Sequence, residues 1–392
     1  MDEQGLPLAG IKIIEFSHMV MGPSIGVILA DLGADVIKVE PVGGDQTRRL
    51  LGSGAGYFPM FNRNKRSICL DLKDPRGLDA ARRLAATSDI LIENFRPGTL
   101  DRLGLGYAAL SEANPGLIYC SAKGFLPGPY EHRTALDEVT QMMGGLAYMT
   151  GPPGRPLRAG SSVIDITGGM FGVIGILAAL EKRHTTGRGS EVKCALFETT
   201  AFLVGQHMAQ MAVTGQAAQP MPVRISAWAI YDVFETARPD EQLFVGVVSD
   251  GQWKAFCDAF DLANLGANAE YEKNNQRVLA RDLILPQVRD LFAGIDRATL
   301  VERLEAIGLP FAPIARPDEL FDDPHLNAAG GLIEVTIPNG ATTALPALPI
   351  AFDNHRPPRR HDIPLAGQDG AAILREAGFD EGEIAQLLQD MG

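Results

Sequence analysis

The sequence lacks the marks of several large classes of protein. Four cysteines, Cys69, Cys120, Cys194 and Cys257, stand far apart in 392 residues with no CxxC pair. That dispersion argues against a disulfide framework or a structural zinc site and points to a reducing compartment. His18 and His132 belong to no HxxxH or HxH pair, so no metal site is expected. No GxSxG elbow of an α/β-hydrolase occurs. The opening Met1-Asp2-Glu3-Gln4 has neither the basic start nor the apolar stretch of a signal peptide. The longest apolar run, residues 170–180, carries two glycines and is too short to span a bilayer. A cytoplasmic protein without membrane partners is expected. Basic residues are also scarce: 35 Lys and Arg stand against 48 Asp and Glu, for a net charge of −13. Nucleic-acid binding is not expected from such a chain, which has few cations to replace phosphate counterions. A few local cations would still suffice for a phosphorylated small molecule.

What is present is an alternation of strand and helix signals. Residues 11–16 form a short apolar run. Gly22-Pro23 then opens a helix with Ile25, Ile28, Leu29 and Leu32 at helical spacing, and residues 36–39 form a second strand stopped by Pro41. That βαβ unit implies a parallel sheet. Strands are expected over 67–72, 89–93, 117–122 and 191–196, and helices over 75–87, from about 135, and over 168–182. The texture changes after about residue 218. Strands at 229–234 and 243–248 flank the turn Arg238-Pro239-Asp240, and helical stretches run to about 307. Three parts are therefore expected: a large domain over 1–221, a small α+β domain over 222–325, and a segment 326–392 with a strand near 332–337 and a helix near 370–374.

Three motifs invite a chemical reading. The first strand–helix turn, Ser17-His18-Met19-Val20-Met21-Gly22, has one glycine where the dinucleotide fingerprint needs three, which argues against a nicotinamide or flavin site. The basic string Asn62-Arg63-Asn64-Lys65-Arg66 is either a solvated loop or, with Lys73, Arg96 and Arg102 near other strand ends, part of a cationic rim for a phosphorylated nucleotide. Asp165 lies among small and apolar neighbours before the helix expected from 168. It is either the N-cap of that helix or a carboxylate kept ionised by the helix dipole and open to attack a thioester carbonyl.

Several strings together resemble the class III CoA-transferases, the group of formyl-CoA transferase and carnitine CoA-transferase. They include Met21-Gly22-Pro23, then Ala30-Asp31-Leu32-Gly33-Ala34-Asp35-Val36-Ile37-Lys38-Val39-Glu40-Pro41, and Leu70-Asp71-Leu72-Lys73. Glu93-Asn94-Phe95-Arg96-Pro97-Gly98, Thr186-Gly187-Arg188-Gly189 and Ala377-Gly378-Phe379 continue the match in order along nearly the whole chain. The resemblance implies a Rossmann-like α/β domain whose parallel sheet is built from both chain ends, a smaller α+β domain between them, and two chains interlocked as a homodimer.

The resemblance also implies roles. Asp165 matches the aspartate that attacks an acyl-CoA, forming a mixed anhydride and then an aspartyl-CoA thioester that a carboxylate acceptor attacks. Met19, Val20, Leu70, Lys73, Asn94, Phe95 and Arg102 match the contacts to coenzyme A, which is a substrate as its thioester rather than a tightly bound cofactor. Members that act on oxalate carry a glutamine where Val20 stands and a glycine-rich loop near Arg224-Ile225-Ser226-Ala227-Trp228, so oxalate is not the expected acceptor. Arg224 is either a surface residue or the partner of a second carboxylate, which would favour a dicarboxylic acid. The related α-methylacyl-CoA racemases place a histidine before the aspartate matching Asp137; here Leu136 precedes it, and the proton shuttle is missing. A non-catalytic subunit of a two-subunit transferase is a further alternative, against which the retention of Asp165 argues.

Overall fold

Strand β1 (Lys12–Phe16) is buried on both faces, because Ile13 and the pair Ile14 and Phe16 enter opposite cores. A strand apolar on both sides needs layers above and below it. The structure, a computed structural model, describes residues 5–389 apart from Ile225, Pro239 and Pro338. Ile225 in the string Arg224-Ile225-Ser226, Pro239 in the expected turn at 238–240, and Met1-Asp2-Glu3-Gln4 lie outside the described residues.

The chain divides into two compact units, Met1–Pro222 with Pro324–Gly392, and Val223–Asp323. In the larger unit β1 is followed by α1 (Met21–Asp31), β2 (Asp35–Glu40), α2 (Tyr57–Phe61), β3 (Lys65–Cys69), α3 (Pro75–Ala86) and β4 (Ile90–Glu93). Then come α4 (Tyr107–Ala113), β5 (Ile118–Lys123), α5 (Asp137–Met143), α6 (Leu146–Thr150), α7 (Val163–Thr186), β6 (Glu191–Ala195), α8 (Leu196–Leu203) and α9 (Gly205–Thr214). The six strands form one parallel sheet in the order β3-β2-β1-β4-β5-β6. Strand order reverses between β1 and β4, and a doubly wound sheet binds ligands at the carboxyl ends of such a pair.

The smaller unit is α+β. Strands β7 (Tyr231–Glu235), β8 (Gln242–Gly246) and β9 (Phe311–Pro313) pair antiparallel. Helices α10 (Asp250–Ala259), α11 (Ala263–Gly266), α12 (Asn274–Leu279), α13 (Arg281–Ala293) and α14 (Arg297–Ala306) supply its own core around Phe256 and Phe292. Back in the larger unit, α15 (Pro324–Ala328) leads to the hairpin β10 (Leu332–Thr336) and β11 (Thr342–Pro346), and the chain ends in α16 (Gly370–Glu376) and α17 (Glu381–Gln389).

The parallel sheet is not built from both chain ends: its strands all lie between residues 12 and 195. Prolines 346, 349, 357, 358 and 364 keep the tail from supplying regular ladder donors. It instead runs as a strap, with the amides of Arg360 and His361 donating to Asn64 Oδ1 at 2.6 and 2.8 Å. Ile373, Leu374, Ile384 and Leu387 of the last two helices then join the core on one sheet face, with Ile14, Val39 and Ile68. Strand β3 begins at Lys65 and ends at Cys69, earlier than expected, because β2 stops before Pro41 and its Glu40 is the partner of Cys69.

The opposite face carries α1 and α7, which approach closely through glycine. A Cβ on Gly169 would lie 2.1 Å from Ser24 Oγ, and one on Gly172 would lie 2.7 Å from Ile25 Cδ1. Helix α7 is long and apolar enough to cross a membrane by length and composition, and here it packs on α1, β5 and β6. Beneath α1 lies a buried ion cluster. Glu15 and Lys38 are register partners on β1 and β2, and Lys65 Nζ lies 2.8 Å from Glu15 Oε2. Burial pushes the Lys65 ammonium down to about 8 despite Glu15. The cluster fits only because residue 26 is glycine, where a Cβ would sit 1.7 Å from Glu15 Oε2.

Candidate active site

The turn after β1 is pinned from three sides. The His18 amide donates to Asn94 Oδ1 at 3.0 Å, and Asn94 Nδ2 donates back to the His18 carbonyl at 2.8 Å, tying the ends of β1 and β4 together. The Met19 amide donates to Thr47 Oγ1 at 3.1 Å, and Lys38 Nζ donates to the Ser17 carbonyl at 2.7 Å. These bonds hold Met19 at φ +63°, a left-handed conformation uncommon for a residue with a side chain. A Cβ on Gly22 would meet Ser17 Cβ at 2.5 Å, so the helix start can close on the turn only with glycine there. The His18 ring stacks on Phe95, with centroids 5.6 Å apart, and desolvation lowers its pKa.

Two cavities share His18 and Met19 in their walls. One, of about 620 Å³, is largely apolar and is lined by Phe16, Val42, Leu50, Leu70, Lys73 and Phe95 as well. The other, of about 260 Å³, contains Asp165, Asp137, Arg158, Tyr57, Lys123 and Asn94. Six of the residues singled out from sequence line one or the other: Leu70, Lys73 and Phe95 the first, Asn94 and Asp165 the second, and Met19 both. Val20 lines neither cavity; its side chain is buried against Val27 and Phe61. Arg102 lies exposed outside both, with Nη2 near Thr99 Oγ1 at 3.4 Å. Arg224 belongs to the smaller unit.

The basic string at 62–66 is neither a solvated loop nor a phosphate rim. Arg63 Nη2 lies 2.6 Å from Asp31 Oδ2, Lys65 pairs with Glu15, and Arg66 Nη2 contacts Asp35 at 2.6 Å and Glu376 at 2.9 Å. Every cation in it is already neutralised by a carboxylate. Its task is to join β3 to α1, β1, β2 and the C-terminal helices.

Asp165 is not an N-cap. Helix α7 starts at Val163, five residues before the expected start, and Asp165 occupies the third position of its first turn. Ser162, at the cap position, makes no side-chain cap bond. The capping carboxylate comes from another helix: Asp137 Oδ2 accepts from the amides of Ile164 at 2.8 Å and Asp165 at 3.1 Å. Asp137 Oδ1 in turn accepts from Gln141 Nε2, and Gln141 Oε1 accepts from the Ala159 amide at 2.8 Å, fixing the loop that enters α7.

This arrangement sets the chemistry of Asp165. Burial, then the neighbouring Asp137 charge, push its carboxyl up to about 7, with Arg158 acting in the opposite sense. A carboxyl poised near neutrality, beside an apolar cavity, can serve as a nucleophile toward an activated acyl group. Tyr57, Arg158 and Thr47 belong to no sequence motif, and Asp137 stands out in the sequence only as the match to the aspartate of the racemase His-Asp pair, with nothing there to link it to Asp165.

The model of CoA-transferase family III matches residues 8–370. The mouse succinyl-CoA:glutarate CoA-transferase is 32% identical over 390 residues, covering 97% of this chain and 89% of that protein. The succinate–glutarate CoA-transferase of Agrobacterium fabrum is 34% identical, covering 94% of this chain and 95% of that one. Among solved structures, a CAIB/BAIF family protein from Brucella suis superposes with a TM-score of 0.82 at 33% identity, over 95% of this chain and 99% of that one.

The raised pKa of Asp165 makes stability depend on pH. An unfolded carboxyl titrates near ~4, whereas the folded group holds its proton up to about 7. The protonated form therefore favours the fold fully below pH ~4, and this contribution is lost as pH rises through about 7. Asp165→Asn, which stays neutral, should gain stability over the wild type by roughly 4 kcal/mol between pH 4 and pH 8. Denaturant midpoints of both proteins across that range check this; parallel curves would contradict the assignment.

Proposed function

The chain belongs to CoA-transferase family III, and we propose that it moves coenzyme A from an acyl-CoA donor to a carboxylic or dicarboxylic acid through covalent intermediates on Asp165. The observation that carries this reading is the placement of a carboxyl of raised pKa, Asp165, in a cavity that shares His18 and Met19 with a larger, mostly apolar one.

In this reading the pantetheine arm occupies the apolar cavity along Leu70 and Phe95, Lys73 meets phosphate, and Arg102 lies beyond the cavity toward the nucleotide end. The Asp165 carboxylate attacks the thioester carbonyl carbon, the C–S bond breaks, and CoA thiolate leaves, giving a mixed anhydride. The thiolate then attacks the aspartyl carbonyl, expelling the donor acid as its carboxylate and leaving an aspartyl-CoA thioester. The acceptor carboxylate attacks that thioester and again releases CoA thiolate. The thiolate takes the acceptor's acyl group from the new anhydride and regenerates the Asp165 carboxylate. No proton is transferred in these steps. Asp137 is a positioning residue, holding the first turn of α7 through two backbone amides.

Incubation with an acyl-CoA and hydroxylamine should release CoA and leave a hydroxamate on Asp165, read by mass spectrometry of peptides. Asp165→Ala should lower CoA release by about a thousandfold or more. Label on another residue, or undiminished release from Asp165→Ala, would sink the mechanism.

The same reading includes a homodimer, interlocked in the manner the family resemblance implies, in a reducing cytoplasm. Its support is an uncovered apolar face on the larger unit. Met170, Ile174 and Leu177 of α7 are exposed, with Phe202 of α8 at 71% and Val213 of α9's end at 84%. A face of this kind on a folded unit marks an interaction surface. Sedimentation should find a dimer even at nanomolar concentration, and a folded monomer there would rule out the interlock.

A further inference from the structure

The Asp165 cavity holds a cation that the transfer steps do not use. Among the described residues lining it, Lys123 and Arg158 carry permanent positive charge. Lys123 is committed, with Nζ 2.5 Å from Glu93 Oε1 and 2.7 Å from the Phe95 carbonyl. Arg158 is not held so closely. Its Nε donates to the Ala159 carbonyl at 3.1 Å, but Nη2 stands 3.7 Å from Asp137 Oδ1 and Nη1 3.5 Å from Glu138 Oε1. Both separations exceed the ~2.7–2.9 Å of a well-formed charge-assisted hydrogen bond. Asp137 is already engaged by two amides and Gln141, and Glu138 is 57% exposed. The guanidinium fork therefore has a loose partner that can be displaced.

We propose that Arg158 binds the distal carboxylate of a dicarboxylic acyl group, and that Glu138 occupies the guanidinium only while the site is empty. This rests on the Asp165 transferase reading and deepens it by assigning the acid class and the residue that selects it. Three carboxylates, Asp137, Glu138 and Asp165, line the cavity, so a second substrate carboxylate would be repelled unless a cation received it. Arginine suits that task, since its planar fork matches a carboxylate in two parallel bonds. Arg158 also stands on the wall of a neighbouring cavity of about 580 Å³, whose lining includes Tyr57, Met60, Phe61 and Ile166. A monocarboxylic acyl group of the same length has no use for Arg158.

The test compares glutaryl-CoA with pentanoyl-CoA, equal in chain length, in hydroxylamine-trapped CoA release. The wild type should prefer glutaryl-CoA in kcat/KM. Arg158→Gln should raise KM for glutaryl-CoA by about tenfold or more while leaving that for pentanoyl-CoA within about twofold. Arg158→Lys should recover part of the loss, and Glu138→Gln, which removes the competitor, should lower KM for glutaryl-CoA. Loss of the Arg158 charge also raises the pKa of Asp165, but that effect falls on both esters, so their ratio is what decides. Equal changes for the two esters, or none, would overturn the assignment while leaving Asp165 as nucleophile. Failure of the wild type to form a hydroxamate from either ester would instead overturn the transferase reading and this one with it. Should Arg158→Gln not fold, the lysine and Glu138→Gln variants decide by the same ratio.

Discussion

The candidate site depends on one contact between two acidic residues that are 28 positions apart. Asp137 on α5 accepts the amides of Ile164 and Asp165, so the carboxylate that starts α7 also sits beside the carboxyl α7 carries. A helix N-terminus has orphan N–H groups and a positive dipole, and an acidic cap satisfies both. Here the cap comes from outside the helix, which leaves Asp165 free for the cavity. The same charge, added to burial, holds the Asp165 proton up to about 7. Position and acidity are thus set by a single side chain. Loss of that contact would alter the aim of the carboxyl and its ionisation at once.

Around this contact the fold supplies rigidity. Glycines at 168, 169 and 172 bring α7 against α1, and Gly26 and Gly22 let α1 lie over the buried Glu15–Lys65 pair and the Ser17 turn. Lys38 reaches from that ion cluster to the Ser17 carbonyl, and Asn94 bridges β1 to β4. The site is therefore bounded by the sheet's switch point on one side and the start of α7 on the other. Both are packed elements, as a preorganised nucleophile requires.

Much of this frame was legible in sequence because it rests on local periodicity. The βαβ opening, the strands ending at Phe16, Glu93 and near Lys123, and the helix after Pro75 follow from short-range pattern alone. The misplaced elements depended on distant partners. Gly168 and Gly169 resembled a helix start, whereas they lie inside α7 where it packs on α1, and a Cβ on Gly169 would sit 2.1 Å from Ser24 Oγ. The basic string at 62–66 read as open to ligand because its partners, Asp31, Asp35, Glu15 and Glu376, are remote in sequence. Asp137 is named in the sequence only through the racemase match, which points to its neighbour Leu136 and not to Asp165. The relation that matters, Asp137 with Asp165, is made only by the fold. For Arg158 there was no motif, since its meaning lies in which carboxylates surround it.

The most direct measurement is the pH dependence of single-turnover CoA release, in the wild type and in Asp137→Asn. The amide oxygen of asparagine can still accept from the α7 amides, so the substitution removes the charge while preserving the cap. The wild type should show a rate that rises with pH to a midpoint near about 7, set by ionisation of Asp165. In Asp137→Asn that midpoint should move toward the ordinary carboxyl range. An unchanged midpoint in the variant would contradict the account, because the group titrating would then owe nothing to the carboxylate that holds it in place.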